Sequence, residues 1–299
     1  MARWVVTGAE GMLGVDLVAR LRADGHEVAA LGRSRLDVTD ADAVDAALEA
    51  ADVVVNAAAY TAVDAAEDDE ATAFAVNAVG AQHVAQAAAR RGARLVHVST
   101  DYVMDDGGAG ALAPHAEGTL LAPRSAYGRT KAAGEWATRS EHPGALVVRT
   151  AWLYGAHGSC FPRTIATYAA QRDVLDVVDD QTGQPTWTVD LADLVVRLVE
   201  AEVAPGVYHG TSEGAATWYE LAQEVVASAG RDPAMVRPTT SGALARPAPR
   251  PSWSVLGHDA TRAAGVAPIG DWRTRWRAAA PRVLSGLPSV RHPSSSDSR

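Results

Sequence analysis

The chain has 299 residues but a single cysteine, Cys160. One cysteine excludes an internal disulfide framework and is typical of a reducing compartment. Long apolar runs are also missing, and none reaches the roughly 18 residues that a membrane-spanning helix requires. A signal peptide is not expected either, because a strand pattern begins almost at the first residue. These absences predict a soluble, cytoplasmic protein without a membrane partner.

Basic clusters are a further feature that the chain lacks. The net charge is −9, and no dense run of Lys and Arg occurs. Nucleic-acid-binding domains carry a basic patch that neutralises phosphates, so no nucleic-acid partner is expected. The nine histidines lack the spacing of metal ligands, and we predict no metal site.

Short apolar segments alternate with longer, alanine-rich segments of helical periodicity. Buried strands are predicted to begin at Arg3, Glu27, Asp52, Arg94 and Ala145. This alternation is typical of β-α-β units, in which helices cover both faces of a parallel sheet. The fold class that we predict is α/β, a Rossmann-like doubly wound parallel sheet over residues 1–150.

The pattern becomes looser after about residue 151. Strands from Val174 and Gly206 and helices from Val189 and Trp218 lie between Pro- and Gly-rich connections. A smaller C-terminal substrate-binding lobe is predicted over residues 151–285, with part of 186–206 returning to the first domain. Residues 286–299 lack apolar periodicity and are predicted to be a disordered tail.

A glycine-rich loop, TGAEGMLG, follows the first strand and leads into an amphipathic helix. Glycines in such a loop allow a tight turn and a close approach of the backbone to a pyrophosphate, which the helix N-terminus also attracts. A plain turn is the alternative, but the position after the first strand favours dinucleotide binding. The predicted cofactor residues of this loop are Gly8, Gly11, Met12, Leu13 and Gly14.

The end of the second strand usually distinguishes NAD from NADP. A carboxylate there binds the ribose 2′-hydroxyl, whereas an arginine pairs with a 2′-phosphate. The segment reads LGRSR, with Arg33 and no carboxylate. NADPH is therefore the predicted cofactor, with NADH as the alternative; a solvated basic turn is the competing interpretation of Arg33.

A tyrosine and a lysine lie one helical turn apart in the segment SAYGRTKAAGEWA. Tyr127 and Lys131 therefore share one face of the predicted helix. The fourth strand ends at Thr100 and Asp101, which places these residues at the ligand-binding edge of the sheet. A phenol acts as an acid–base catalyst near neutral pH when a cation stabilises its phenolate. Thr100, Asp101, Tyr127 and Lys131 are the predicted catalytic group; an exposed helix turn is the alternative for the tyrosine–lysine pair.

The combination of TGxxGxxG, Thr100 and Tyr-x-x-x-Lys resembles the extended short-chain dehydrogenase/reductase superfamily. Further segments resemble the dTDP-4-dehydrorhamnose reductase family. They are NAAAYTAVDAAE, HVSTDYV, RTAWLYG, DDQTGQPTWTVDLA and RPSWSVL, and the matches extend from residue 7 to about residue 256.

This resemblance implies NADPH-dependent reduction of the 4-keto group of a dTDP-4-keto-6-deoxyhexose, giving dTDP-L-rhamnose. Tyr127 would donate the proton, and Lys131 would hold the nicotinamide ribose and lower the tyrosine pKa. Thr100 and Asp101 would bind the carbonyl or neighbouring hydroxyls. The alternatives are a 4-ketoreductase for another dTDP-deoxysugar, such as a dihydrostreptose-type synthase, and a non-catalytic regulatory homologue.

Two related activities fit the residues less well. Sugar-nucleotide dehydratases of the superfamily carry an Asp–Glu pair after the threonine, whereas this chain has Asp101 and Tyr102. A 4-epimerase would be expected to carry an acidic residue at the end of the second strand, where Arg33 lies. Both positions favour a reductase.

The resemblance also implies roles for residues outside these motifs. Cofactor contacts are implied for Asp37, Val38, Ala57, Ala58, Ala59 and Tyr60, and substrate contacts for Tyr102, Trp152 and Arg250. Each has a structural alternative: a helix N-cap for Asp37, core packing for the alanines and Trp152, and a surface salt bridge for Arg250. Asp16 could correspond to a metal ligand of some family members, but Val189 occupies the position of the second carboxylate. A homodimer is expected by family analogy alone.

Overall fold

A computed structural model describes residues 1–104 and 113–287 of the chain. Its strands are β1 (Arg3–Thr7), β2 (Glu27–Leu31), β3 (Val53–Asn56), β4 (Arg94–Thr100), β5 (Leu146–Thr150), β6 (Leu153–Tyr154), β7 (Leu175–Val178), β8 (Thr182–Gly183), β9 (Thr186–Trp187), β10 (Gly206–His209), β11 (Ser212–Glu213), β12 (Ala216–Thr217), β13 (Val236–Thr239) and β14 (Ile269–Asp271). Its helices are α1 (Met12–Ala23), α2 (Ala41–Ala47), α3 (Ala65–Asp68), α4 (Glu70–Phe74), α5 (Gly80–Arg91), α6 (Ala126–Glu141), α7 (Phe161–Gln171), α8 (Thr188–Glu200), α9 (Trp218–Ser228), α10 (Asp259–Ala263) and α11 (Trp272–Val283).

The central sheet has six strands in the order β10-β5-β4-β3-β1-β2. Every neighbouring pair is parallel. The predicted Rossmann-like, doubly wound α/β fold is confirmed, and the five predicted strands of the first domain all lie in this sheet. The chain continues from β1 to β2 on one side and then crosses to β3 on the other. Ligands bind in such sheets at this switch point, beyond the carboxyl ends of the strands.

Strand β10 differs from the sequence-based expectation. It was expected within the second lobe, but it pairs with β5 at the edge of the central sheet. Tyr208 on β10 joins the same buried cluster as the residues of α1 and α8. The strand covers the open edge of β5 and buries its own apolar side chains, which local sequence cannot reveal. Helix α8 also packs beside this sheet, in the segment predicted to return; the domain boundaries at 150 and 285 stay predictions.

Residues of the strands alternate between two cores. Val6 and Val55 face the cluster that contains α1 and α8. Val5 and Val54 face the opposite cluster, which contains α2 and α5. Successive side chains of a strand point to opposite faces, so β1 and β3 are buried on both sides.

A third core lies in the C-terminal part of the chain. It joins α7, α9 and α11 through apolar residues that include Trp187, Trp272 and Trp276. Leu287 packs against this cluster. The remainder of the predicted tail, residues 288–299, lies outside the described residues.

Asp16 links the first and third of these cores. Its buried carboxylate accepts a hydrogen bond from Thr188 Oγ1 at 2.6 Å and another from Arg282 Nη2 at 3.0 Å. Helix α1 is thereby tied to α8 and α11. The contact that the structure shows for Asp16 is this link between three helices.

A buried charged network lies behind the helix that carries Tyr127 and Lys131. Arg149 of β5 donates two hydrogen bonds to the Glu135 carboxylate of α6, at 2.9 and 2.8 Å. Ser99 of β4 donates to the same carboxylate at 2.6 Å. The side chains of Arg149 and Glu135 are only 3% and 2% exposed. Because both charges are desolvated, each depends on the other, and together they fix α6 against the carboxyl ends of β4 and β5.

No helix within residues 1–104 and 113–287 is both long enough and apolar enough to span a membrane.

The buried pair predicts a large loss of stability for Arg149→Met. We expect the free energy of unfolding to fall by about 3–5 kcal/mol, because the Glu135 carboxylate would remain buried without its partner. Replacing both residues, with Glu135→Leu added, should recover most of this loss. Urea unfolding measures both effects.

The matched control is Arg129→Met on the same helix. Arg129 pairs with Glu70, and these side chains are 45% and 43% exposed, so the expected loss is below about 1 kcal/mol. Equal losses for Arg149→Met and Arg129→Met would contradict this account of the network.

Candidate active site

A cleft of about 1180 Å³ opens at the carboxyl edge of the central sheet. The predicted cofactor residues that line it are Gly8, Gly11, Met12, Leu13, Gly14, Arg33, Asp37, Val38, Ala57, Ala58, Ala59, Tyr60, Tyr127 and Lys131. The predicted substrate residues that line it are Thr100, Asp101, Tyr102 and Trp152. The fold thus brings together residues from six separate segments of the sequence, and among the predicted residues only Arg250 lies elsewhere.

The glycine loop packs too closely against its neighbours for larger side chains. Gly8 has φ +65°, and a Cβ atom there would lie 2.6 Å from the carbonyl oxygen of Ala57. A Cβ atom on Gly14 would lie 2.3 Å from the carbonyl oxygen of Gly8. Helix α1 begins directly afterwards, with Gly11 as its N-cap. This arrangement brings backbone N–H groups and a helix N-terminus to the cleft, which fits the pyrophosphate of a dinucleotide.

Asp37 lines the cleft but does not cap the next helix. Its Oδ1 atom accepts hydrogen bonds from the backbone N–H and the hydroxyl of Thr39, at 2.9 and 2.8 Å. These bonds hold the pKa of the Asp37 carboxyl below its usual range. Asp40 is the N-cap of α2 and accepts from Asp42 and Ala43, so the N-cap alternative for Asp37 is wrong.

Helix α6 begins in the cleft wall and presents Tyr127 in its first turn. Ser125 caps the helix by accepting a hydrogen bond from the Gly128 N–H at 3.0 Å. The Ala126 N–H donates to the Glu67 carboxylate at 2.8 Å, and this charge lies favourably at a helix N-terminus. These caps fix where the helix starts and therefore where the phenol lies.

The Tyr127 phenol is held in its neutral form. Burial raises the pKa of Tyr127 to about 12, the nearby Asp101 carboxyl raises it further, and a hydrogen bond with Thr100 lowers it. Burial sets the direction of this shift, and the expected role of Lys131 in lowering the tyrosine pKa stays a prediction. Burial has this effect because desolvation penalises the charged phenolate and leaves the neutral phenol favoured.

Lys131 is the only lysine of the chain. It is 2% exposed, and its Nζ donates to the carbonyl oxygen of Val98 at 2.8 Å. Burial lowers the pKa of Lys131 to about 8, and the Glu135 carboxylate opposes this shift. The ammonium is accordingly the dominant form at neutral pH, one helical turn from the phenol.

Asp101 is a second buried acid beside Tyr127. Thr100 Oγ1 donates to Asp101 Oδ1 at 2.9 Å, while Asp101 Oδ2 is buried without a hydrogen-bond partner in the described part of the chain. Burial raises the pKa of Asp101 to about 6, although the hydroxyls of Ser254 and Thr100 partly offset it. An unsatisfied carboxylate oxygen at the cleft wall is a ready acceptor for a hydroxyl group.

A π-helical segment, Ala75–Val79, supports the other wall of the cleft. Its buried Asn77 accepts a hydrogen bond from the Tyr60 N–H at 2.8 Å and donates to the Tyr60 carbonyl oxygen at 3.1 Å. Asn77 also donates to Thr130 Oγ1 at 3.0 Å. One amide therefore joins the Tyr60 loop to the residue before Lys131, and π-helical turns often lie at functional sites.

Aromatic residues form the wall opposite the sheet. The rings of Trp152 and Trp218 stack with centroids 3.5 Å apart and an angle of 4° between their planes. Phe161 packs on Trp218 at 4.5 Å. Trp152 has φ +46°, which is costly for a bulky residue. Stacking on Trp218 holds Trp152 in this backbone conformation. The apolar face of the stacked rings suits a sugar or a base.

Arg250 is the predicted substrate residue that the structure places away from the cleft. Its guanidinium donates to both carboxylate oxygens of Asp64, at 2.9 and 2.8 Å. The hydrogen bonds from Arg250 lower the pKa of Asp64 to about 2. The structure therefore contains the salt bridge considered as the alternative, and the substrate contact of Arg250 stays a prediction.

Sequence reasoning missed several residues of the cleft. Phe161 and Trp218 line it, but each begins a helix and reads as a core aromatic. Asn77 carried no signal because its partners are distant in sequence. Glu10 also lines the cleft, and a charged residue inside a glycine loop was a signal that could have been used.

Within residues 1–104 and 113–287, one cluster has metal-ligand spacing. Asp24, His26 and Glu200 have ligand atoms within 4.8 Å of one another. The two carboxylates are exposed, as acidic surface groups commonly are without any metal. The cleft residues do not form such a cluster.

The sequence matches one protein family over almost its whole length. The model of the RmlD substrate binding domain matches residues 2–284. The chain belongs to this family. The resemblance that its motifs indicated is thereby confirmed.

Other RmlD-family proteins are similar over most of their length. A "Probable dTDP-4,6-dihydroxy-2-methyloxan-3-one 4-ketoreductase" from Streptomyces antibioticus is 51% identical over 286 residues, which cover 95% of this chain and 96% of that relative. A dTDP-4-dehydrorhamnose reductase from Streptomyces griseus is 49% identical over 278 residues, which cover 91% of this chain and 90% of that relative. A crystal structure of dTDP-4-dehydrorhamnose reductase from Bacillus anthracis in complex with NADP has a TM-score of 0.88 and 32% identity, and covers 93% of this chain and 98% of that one.

Lys131 allows a direct test of the electrostatics of this RmlD-family cleft. Reductive methylation with ¹³C-formaldehyde should give a single lysine signal in NMR spectra. We expect this signal to titrate near pH 8 rather than near the ordinary lysine pKa of 10.5, because burial disfavours the ammonium.

Arg139→Lys supplies the control, since it adds an exposed lysine to the same helix. Its signal should titrate near the ordinary value of about 10.4. Coincident titration of the two lysines would show that burial does not perturb Lys131.

Proposed function

We propose that this protein catalyses the NADPH-dependent reduction of the 4-keto group of a dTDP-4-keto-6-deoxyhexose, with dTDP-4-dehydrorhamnose as substrate and dTDP-L-rhamnose as product. One observation carries the proposal: Thr100, Tyr127, Lys131 and the glycine loop all line the same cleft. The names of the RmlD-family relatives support the same chemistry.

Tyr127 is the proton donor in this proposal. Its phenol is neutral, since its pKa is raised to about 12, and it therefore carries the proton that an alkoxide at C4 must receive. General acid catalysis of this kind contributes roughly 10²- to 10⁴-fold to a rate. The ammonium of Lys131, one turn along α6, stabilises the phenolate that remains.

Thr100 and Asp101 orient the substrate. The Thr100 hydroxyl lies within hydrogen-bonding reach of Tyr127, so both can approach one carbonyl oxygen. Asp101 Oδ2, which has no partner in the described part of the chain, accepts a hydrogen bond from a sugar hydroxyl. Trp152 packs on the apolar face of the deoxysugar, with Trp218 supporting it from behind.

The cofactor is held by the glycine loop, the alanines after β3 and Lys131. Gly8 and Gly14 allow the tight packing of the loop against its own backbone neighbours, which brings backbone N–H groups to a pyrophosphate, and Arg33 provides a cation at the end of β2 for a 2′-phosphate. The structure of the B. anthracis relative in complex with NADP supports NADPH. When bound, NADPH supplies the hydride that reduces the carbonyl carbon.

A second candidate is a 4-ketoreductase acting on a different dTDP-deoxysugar. The relative from S. antibioticus supports it, because its name gives such an activity and its identity to this chain is 51%. The cleft residues discussed above serve either substrate equally, since both reactions deliver hydride to C4 and a proton to its oxygen. The homodimer and the cytoplasmic location stay predictions.

Turnover of defined substrates tests the proposal. The purified protein is mixed with dTDP-4-keto-6-deoxyglucose and NADPH, with or without a 3,5-epimerase, and the sugar product is identified by NMR. Oxidation of NADPH that requires the epimerase and gives dTDP-L-rhamnose is the expected result.

Oxidation without the epimerase, giving another hexose, would favour the second candidate. No oxidation of NADPH or NADH with either sugar would contradict both candidates and favour a regulatory homologue. The Tyr127→Phe variant, purified in the same way, measures any oxidation of NADPH by contaminating reductases.

A further inference from the structure

The first exposed residue of the glycine loop is a glutamate, Glu10. The loop is fixed against the end of β2, because the Ala9 N–H donates to the carbonyl oxygen of Leu31 at 3.2 Å. Glu10 is therefore carried to the place where β2 ends, and its exposed side chain lines the cleft together with Arg33.

The carboxylate of Glu10 lies directly over Gly32. A Cβ atom built on Gly32 would be 2.0 Å from Glu10 Cδ and 2.3 Å from Glu10 Oε2. Ser34 Oγ donates a hydrogen bond to Glu10 Oε1 at 3.2 Å. Although the segment LGRSR contains no carboxylate, the fold supplies one to it from the preceding loop.

We propose that Glu10 is a residue that determines cofactor specificity. Its carboxylate accepts a hydrogen bond from the ribose 2′-hydroxyl of NADH, whereas Arg33 attracts the 2′-phosphate of NADPH. The inference rests on the proposed use of a dinucleotide by this cleft. It extends that proposal, because it assigns the choice between NADPH and NADH to the opposite charges of Glu10 and Arg33 at the end of β2.

Glu10 is better suited to this role than Asp37, the other carboxylate of this corner. Asp37 Oδ1 already accepts two short hydrogen bonds from Thr39. Glu10 accepts only the longer bond from Ser34, and within the described residues no ion pair neutralises it. A free carboxylate accepts a hydrogen bond from a hydroxyl but repels a phosphate dianion.

The physical consequence is that neither cofactor is excluded. Arg33 favours the 2′-phosphate, and Glu10 disfavours it while favouring the 2′-hydroxyl. The two effects oppose each other, so the wild-type protein should bind both NADPH and NADH. Removing either charge should shift the preference in a direction fixed by its sign.

Direct binding measurements test this assignment. The dissociation constants of NADPH and NADH are measured by quenching of tryptophan fluorescence for the wild-type protein, Glu10→Gln and Arg33→Gln. We expect Glu10→Gln to shift the ratio of affinities toward NADPH by about tenfold, and Arg33→Gln to shift it toward NADH by a similar factor.

Glu49→Gln is the matched control, because it removes one exposed carboxylate from outside the cleft. Its affinity ratio should stay within about twofold of the wild-type value. Turnover with each cofactor, measured in parallel, should follow the same order as the affinities.

The outcomes separate this inference from the proposed function. If the wild-type protein binds the cofactors but Glu10→Gln leaves their ratio unchanged, or weakens both equally, Glu10 does not select the cofactor and the proposed function stands. If the wild-type protein binds neither cofactor, the proposed function fails and this inference fails with it.

Discussion

The burial of one lysine beside one tyrosine is the constraint on which the rest of the structure depends. Lys131 and Tyr127 both occupy positions where desolvation penalises their charged forms, in opposite directions. The phenol therefore keeps its proton, and the ammonium becomes easier to deprotonate than usual. A neutral acid next to a cation is what the donation of a proton to an alkoxide requires.

Much of the surrounding structure holds that helix in place. Ser125 and Glu67 fix its start, Asn77 ties it to the Tyr60 loop, and the Glu135–Arg149 pair anchors it to β4 and β5. Buried charges and unsatisfied carboxylates cost free energy, and proteins commonly tolerate such costs at functional sites. Asp101 and the strained Trp152 belong to the same pattern, which concentrates unfavourable features along one edge of the sheet.

The sequence was most informative where function depends on local spacing. The strands of the first domain, the loop from Gly8 to Gly14 and the Tyr127–Lys131 pair could all be predicted, because each follows from neighbouring residues. Contacts between residues far apart in the sequence could not be predicted. Arg250 pairs with a residue 186 positions away, β10 depends on the free edge of β5, and the charge of Glu10 reaches β2 only through folding. The rise in the pKa of Tyr127 could not be predicted for the same reason, since burial is a property of the folded chain.

The most direct measurement for the central claim compares turnover and cofactor binding in Tyr127→Phe. The account predicts that kcat with the dTDP-4-keto sugar falls by roughly 10²- to 10⁴-fold. The dissociation constant of NADPH should change by less than about tenfold, because one neutral hydrogen bond at most is lost. Tyr168→Phe, at a half-exposed tyrosine outside the cleft, should match the wild-type protein in both. A Tyr127→Phe protein that keeps most of its turnover would contradict the claim that the buried phenol donates the proton.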